Sequence, residues 1–495
     1  MELYYKSTRN SDLKVSASKA ILTGLAPDGG LFVPERIPAL ALSMEELAAM
    51  DYQETACALM QKFFTDFTEE ELRSCVEKAY DEKFDTEEIA PLAKADGNYY
   101  LELFHGATIA FKDMALSILP HLMTVAARKN HADKEIVILA ATSGDTGKAA
   151  MAGFADVEGT RIIVFYPRDG VSKVQKLQMV TQKGRNVDVA AIRGNFDQAQ
   201  SGVKALFEDR EFAEELAAHG YQFSSANSIN IGRLVPQIVY YVYAYARLVK
   251  YGEICPGDLV NVVVPTGNFG NILAAYYAKQ MGLPLGRLIC ASNENKVLYD
   301  FFRTGTYDKN REFVLTTSPS MDILISSNLE RLLYLASGED AAGTAERMRK
   351  LKVSGRYEIT ADMKERLADF DAGYADERET AEEIRRLYEK TGYVIDPHTA
   401  VASHVCREYQ KRTGDGRPCM IASTASPYKF AGSVLSAIDP AFGAKDEMEL
   451  LADMPSVSGR ETPMAIREIR EAEVLHKTEC DPEDMKECVK RFLGM

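Results

Sequence analysis

From residue 136 onward the chain repeatedly sets a short apolar run ahead of an amphipathic helical stretch. This alternation restricts the possible folds more than any other feature. The runs cover residues 136–140, 161–166, 186–192, 259–264, 288–291 and 419–422. Helical patterns lie between them, for example over residues 172–180 and 231–249. Strand–helix alternation predicts an α/β protein with parallel sheets and helices on both faces, because parallel neighbours need a crossover and both sheet faces then need cover. In open α/β sheets ligands bind beyond the carboxyl ends of the strands. The loops that follow the apolar runs are therefore where chemistry is expected.

The flanking regions read differently. The first part is mostly helical after its opening residues: Ser43-Met44-Glu45-Glu46 and Thr68-Glu69-Glu70-Glu71 are capping-box patterns, each leading into an amphipathic run. Residues from about 304 to 390 are charged and predict an inserted helical region, with helices over 362–371 and 379–389. The tail from Met448 is also highly charged and predicts surface packing.

With 495 residues, 46 % hydrophobic and 26 % charged, the chain has the composition of a globular protein of several domains. Its net charge of −15 argues against a nucleic-acid or anionic-membrane partner, since both favour a basic face. The opening MELYYKSTRN has no apolar run and no segment is long enough to span a bilayer, so a cytoplasmic protein is expected. Cys57, Cys75, Cys255, Cys290, Cys406, Cys419, Cys480 and Cys488 are scattered, without a C-x-x-C pair or clustering with histidine. Buried reduced thiols are expected, and no metal site.

Four loops have unusual composition. Val264-Pro265-Thr266-Gly267-Asn268-Phe269-Gly270-Asn271 joins an apolar run to a helix. Its glycines let backbone amides converge at a helix N-terminus, which suits a phosphate, although an ordinary tight turn has the same pattern. Thr142-Ser143-Gly144-Asp145-Thr146-Gly147-Lys148 also sits between strand and helix and offers hydroxyls and amides to an anion such as a carboxylate, or a helix cap through Ser143 or Asp145. Lys112, in His105-Gly106-Ala107-Thr108-Ile109-Ala110-Phe111-Lys112-Asp113, lies in an apolar setting. Desolvation there favours the neutral, Schiff-base-forming amine; Asp113 can instead serve as its ion partner, and Pro120 predicts that the next helix is kinked or starts late. Finally, Ser423-Thr424-Ala425-Ser426-Pro427 brings hydroxyls to the end of a strand, with Ser426 as a helix cap and Pro427 at the first helical position.

Together these segments resemble the threonine synthase family, pyridoxal 5′-phosphate (PLP) enzymes of the tryptophan-synthase β-type fold. The family's lysine motif H-G-P-T-x-A-F-K-D is matched at 105–113 with Ala107 for proline. S-G-D-T-G is intact from Ser143 to Gly147, and G-N-F-G-N from Gly267 to Asn271. T-A-H-P-x-K-F is matched at 424–430, with Ser426 for histidine. Tyr5-Lys6-Ser7-Thr8-Arg9, Pro27-Asp28-Gly29-Gly30-Leu31-Phe32-Val33-Pro34 and Asp396-Pro397-His398-Thr399-Ala400 resemble further motifs of its longer branch.

The resemblance implies two parallel-sheet lobes with an N-terminal region and a helical insertion. Residues 1–95 would form the N-terminal part, 96–225 the lobe of the lysine and substrate carboxylate, and 226–495 the lobe of the cofactor phosphate. It implies that Lys112 holds PLP, that Gly267, Asn268, Phe269, Gly270 and Asn271 bind its phosphate, and that Thr424 faces its ring nitrogen. Thr142, Ser143, Gly144, Asp145 and Thr146 are candidates for the substrate carboxylate. Lys148, Arg233 and residues 224–227 are candidates for the substrate phosphate. The implied reaction converts O-phospho-L-homoserine and water to L-threonine and phosphate, in a monomer or homodimer. A phospholyase releasing 2-oxobutyrate on the same scaffold, or a non-catalytic binding protein, are the alternatives.

Overall fold

Each apolar run read as a strand is one, and each pairs in parallel with its neighbours in one of two open sheets. These come from a computed structural model that describes residues 2–142, 144–169, 171 and 173–495. The larger, six-stranded sheet runs in the order Phe370–Tyr374, Leu285–Ser292, Val260–Pro265, Cys419–Ser423, Asn98–Glu102 and Leu92–Ala95, and its last pair is antiparallel. The five-stranded sheet runs Thr478–Cys480, Val187–Ile192, Thr160–Pro167, Glu135–Ala141 and Tyr221–Ser224, all parallel.

Side chains alternate across each strand and so feed different cores. Val260, Val262 and Val264 enter the main core, while Val263 enters a second core under helices Glu377–Thr391 and Pro397–Thr413. Ile136 and Ile138 enter the main core from the smaller sheet, while Val137 and Leu139 face a third core on its outer side. The main core therefore fills the space between the two sheets. Its spine is the buried helix Ile231–Lys250. All described helices fall short of the length and apolarity needed to cross a membrane.

Three expectations about organisation need correction. The boundary at 95/96 falls beside a two-residue hairpin turn: Asp96 and Gly97 take φ of 49° and 76°, as a type I′ turn requires, and join two strands of the larger sheet. The boundary at 225/226 does not follow the sheets either, because the strand Asn98–Glu102 that leads to Lys112 belongs to the larger sheet with Val260–Pro265. The helix expected over residues 362–371 ends at Arg366, and Phe370–Tyr374 becomes the edge strand beside Leu285–Ser292, where Phe370 and Ala372 are buried by alternation.

The charged tail does more than cover the surface. Thr478–Cys480 extends the smaller sheet, and helix Met485–Leu493 buries Met485, Cys488, Val489 and Leu493 on one face while its charges face out. Both capping boxes form as read. Pro120 sits in the first turn of Leu119–Lys129, which starts after the short helix Asp113–Leu116. All eight cysteines are free thiols; Cys57 is half-buried and Cys255 is exposed, contrary to uniform burial.

Candidate active site

Because Asn98–Glu102, Cys419–Ser423 and Val260–Pro265 are adjacent and parallel, the loops after them meet at one sheet edge. The first two are stitched together. Leu103 N–H donates to the Ser423 carbonyl (2.9 Å), Phe111 N–H to that of Thr424 (2.8 Å), and Ser426 N–H to that of Ile109 (3.0 Å). Lys112 is thereby fixed beside Thr424. Ile109 takes φ 51°, a left-handed conformation that a β-branched residue rarely adopts. Gly106 is required for close approach, since a Cβ there would lie 2.6 Å from that of Asp113.

Asp113 is buried, and its two oxygens accept from Thr108 N–H (2.8 Å) and Thr108 Oγ (2.6 Å). It supports the loop, and burial pushes its carboxyl above the ordinary value. Lys429 donates to the Thr108 carbonyl at 3.0 Å. Lys112 Nζ donates to Ser320 Oγ at 3.2 Å. Ser320 N–H in turn donates to His398 Nε2 (3.2 Å), and His398 Nδ1 bonds Asp396 (2.7 Å), which fixes the imidazole with Nε2 as acceptor. The Asp396-Pro397-His398-Thr399 motif thus caps a helix and holds Ser320 against Lys112.

The third loop meets the same segment. A Cβ on Gly267 would stand 2.4 Å from the Ser320 carbonyl oxygen, so only glycine fits. Phe269 takes φ 67° and starts helix Gly270–Gln280. The surroundings fit a phosphate. Asn271 Nδ2 is buried in the first helical turn without a partner among the described residues, while Asn271 Oδ1 accepts from Tyr241. A Cβ at Gly270 would enter a cradle 3.5 Å from Asn328 Nδ2 and 3.6 Å from Gln237 Nε2. Backbone amides at a helix N-terminus and side-chain amide donors surround that point.

The loop of the smaller sheet sits close by, because Gly153 on its helix Asp145–Phe154 packs against the Leu116 carbonyl, where a Cβ would lie only 2.1 Å away. Thr142, read as a ligand, has its hydroxyl committed instead: it accepts from the amides of Gly144 (3.0 Å) and Gly147 (3.1 Å) and donates to the Gly144 carbonyl (3.1 Å). It thereby holds two amides of its own turn. Ser143 and the side chain of Asp145 lie outside the described residues. Thr146 is half-buried in the first turn, beside the loop. Gly144, at φ 154°, leaves room for Gln175, whose Nε2 would stand 2.5 Å from a Cβ there. Lys148 donates to Gln182 Oε1, and burial pulls its amine down to about 8.

Arg233 is buried at 4 % exposure. It donates to the Ala226 carbonyl (3.0 Å), its Nε has no partner, and no carboxylate pairs with it among the described residues. Burial alone lowers its guanidinium to about 10. Arg233, Gln237 and Tyr241 recur at helical spacing on Ile231–Lys250, and the last two reach the 267–271 loop. Arg233 therefore stands one turn beyond that loop, next to the end of strand Tyr221–Ser224.

Below the lysine loop, His105 lies between Asp85 and Glu102, and Arg460 grips Glu102 with two bonds of 2.6 and 3.0 Å. Burial opposes charge on His105, but the two carboxylates hold its imidazolium up to about 9. A raised folded-state value stabilises fully below pH ~6.5 and fades as pH rises through about 9. His105→Gln is expected to flatten the fall in melting temperature between pH 7 and 10; an equally steep fall in both proteins would contradict this. Ser426 caps the turn Pro427–Phe430 as read, and lines a cavity of about 340 Å³ with Phe104, His105 and Tyr393.

Sequence profiles of known families match the chain: "Pyridoxal-phosphate dependent enzyme" over residues 86–424, "Threonine synthase N terminus" over 4–80, and "Threonine synthase, C-terminal" over 399–475. With the paired parallel sheets, these matches define a PLP-dependent enzyme. The chain is 36 % identical over 465 residues to threonine synthase of Saccharomyces cerevisiae, covering 88 % of this chain and 89 % of that protein. It is 41 % identical over 446 residues to threonine synthase-like 1 of Macaca fascicularis, covering 87 % of this chain and 59 % of the relative; it thus spans about six-tenths of that protein's length. Among solved structures, PLP-bound threonine synthase from Brucella melitensis matches with a TM-score of 0.88 at 35 % identity, over 100 % of both chains. This chain belongs to the threonine synthase family, and its cofactor is PLP.

Proposed function

We propose that the protein is a threonine synthase, converting O-phospho-L-homoserine and water to L-threonine and phosphate. The observation that carries this reading is Arg233: a buried guanidinium without a carboxylate partner among the described residues, one helical turn from a separate anion cradle. Burying an uncompensated charge is costly unless a ligand completes it. Two distinct anion positions, one at the loop packed on the Ser320 segment and one a helical turn away at Arg233, fit a cofactor phosphate and a substrate phosphate held at once.

In this reading Lys112 would hold PLP, Gly267, Asn268, Phe269, Gly270 and Asn271 would receive its phosphate, and Thr424 would offer its hydroxyl to the ring nitrogen. Bound PLP delocalises the negative charge that develops on the amino-acid carbons. Lys112 would take a proton from Cα and then one from Cβ, whose electron pair expels the phosphate from Cγ; protons would then be returned to Cγ and, once water has given its hydroxyl to Cβ, to Cα. Ser320, bonded to Lys112 Nζ and anchored through His398, keeps that amine on station. Arg233 neutralises the phosphate as it departs from Cγ. The amides of Asp145 and Thr146 hold the substrate carboxylate, and water enters at Cβ.

The test is the enzyme's choice between O-phospho-L-homoserine and neutral O-acetyl-L-homoserine. Arg233→Leu is expected to raise KM for the phosphate ester by roughly 10- to 150-fold, as loss of a charged hydrogen bond of about 1.5–3 kcal/mol implies, and to leave PLP affinity unchanged. An unchanged KM for the phosphate ester would remove Arg233 from the site.

A further inference from the structure

The N-terminal motifs have no place in the chemistry above, yet they are tied to the 267–271 loop by a continuous set of hydrogen bonds. The loop's outward groups are held by residues 326–328. Ser326 Oγ donates to the Gly267 carbonyl (2.6 Å), and Ser327 Oγ to Asn268 Oδ1 (3.2 Å). Asn328 donates both its backbone N–H and its Nδ2 to the Asn268 carbonyl, each at 3.0 Å. With these carbonyls bound on one side, the amides of the turn are presented to the other.

Asn328 is itself oriented. Arg331, which is fully buried, donates to Asn328 Oδ1, to the Phe32 carbonyl (2.9 Å) and to the Ile229 carbonyl. The adjacent Glu330 accepts from Thr8 Oγ (2.6 Å) and, in a two-pronged pair, from Arg9 (2.8 and 2.7 Å). Thr8, Arg9 and Phe32 belong to the segments around the antiparallel pair Tyr5–Ser7 and Phe32–Pro34. That pair closes tightly: a Cβ on Gly30 would lie 2.2 Å from Ser7 Oγ. The two N-terminal motifs thus grip two consecutive residues in the first turn of helix Leu329–Ala336, the turn that carries Asn328 onto the loop.

We propose that Arg9, Glu330, Arg331 and Asn328 form a positioning clamp by which the N-terminal region sets the 267–271 loop for the cofactor's phosphate. This rests on assigning that loop to the phosphate. These residues act through the loop's carbonyls and touch no reacting atom. The clamp gives the Ser-Thr-Arg and Asp-Gly-Gly-Leu-Phe segments one role: each anchors one end of the same short helical turn.

The test compares PLP with pyridoxal, which has the same ring and aldehyde but no phosphate, binding to the apoprotein of wild type, Asn328→Ala, Arg331→Met and Arg9→Gln. Wild type is expected to prefer PLP strongly. Each variant is expected to lose about tenfold in PLP affinity while pyridoxal affinity stays within about twofold, a coupling of the size usual for residues in one hydrogen-bond network. A scaffold role alone would weaken both ligands in parallel; that result, or no change for either, overturns the clamp. If wild type itself fails to discriminate, the phosphate assignment falls, and the clamp with it. Should Arg331→Met not fold, Asn328→Ala and Arg9→Gln decide the matter, since both leave Arg331 in place.

Discussion

Replacing Lys112 with alanine is expected to remove the yellow colour of the purified protein and nearly all turnover. Lys112 is half-buried at the junction of three loops, with Nζ 3.2 Å from Ser320 Oγ and its main chain fixed by the 109–111 pairing with 424–426. It would supply both the attachment of the cofactor and the proton transfers. Acid–base catalysis alone contributes about 10²–10⁴-fold, so a loss of 10³-fold or more is the rough expectation. Borohydride treatment of wild type followed by peptide mapping should place the cofactor on the peptide containing Lys112 and on no other. A labelled peptide elsewhere, or a Lys112→Ala protein that stays yellow and active, would contradict the assignment.

The second large effect is expected at Gly267, where the obstacle lies in the protein itself and does not depend on what the loop binds. A Cβ at Gly267 meets the Ser320 main-chain oxygen at 2.4 Å, which no side-chain rotation relieves. A Cβ at Gly270 meets only side-chain amides at 3.5 and 3.6 Å, so a substitution there obstructs the proposed phosphate cradle without displacing the protein. Gly267→Ala must therefore displace the 318–321 segment and with it the partner of Lys112. Overpacking of this kind costs about 1–3 kcal/mol, equivalent to roughly 5- to 150-fold in an affinity. Titration of apoprotein with PLP should show Gly267→Ala weakened by that factor, with a lowered kcat once the cofactor is saturating because Ser320 has moved. Normal affinity together with normal kcat would show that the loop and Ser320 do not depend on each other.

The sheet strands buried on both faces were legible because they are short, apolar and followed by helical periodicity. The edges were not. Phe370–Tyr374 and Thr478–Cys480 lie in charged stretches where only alternate residues are apolar, and their pairing partners are far away in sequence. The Asp96-Gly97 hairpin carried a readable turn signal, but its strands were overshadowed by the helical character of the first segment. In the candidate site, Lys112, Gly267 and Thr424 stand out in the sequence as unusual composition after strands. Ser320 does not, since it lies in a single 3-10 turn, Pro319–Met321, and reaches Lys112 only through the tertiary fold. Gln237 and Tyr241 carry a usable signal, polar groups spaced at i+4 and i+8 from Arg233 in a mostly apolar helix. Thr142 misled because a hydroxyl in a glycine turn serves a cap or a ligand equally well, and here the two amides of its own turn take it.

The most direct measurement is a complete product balance. Purified enzyme is incubated with O-phospho-L-homoserine, and phosphate, threonine and 2-oxobutyrate are quantified together. A base on station at Lys112, an occupied Arg233 and a retained intermediate predict threonine equal to phosphate with little 2-oxobutyrate. Phosphate matched by 2-oxobutyrate, or no phosphate released at all, would contradict the assignment as a threonine synthase.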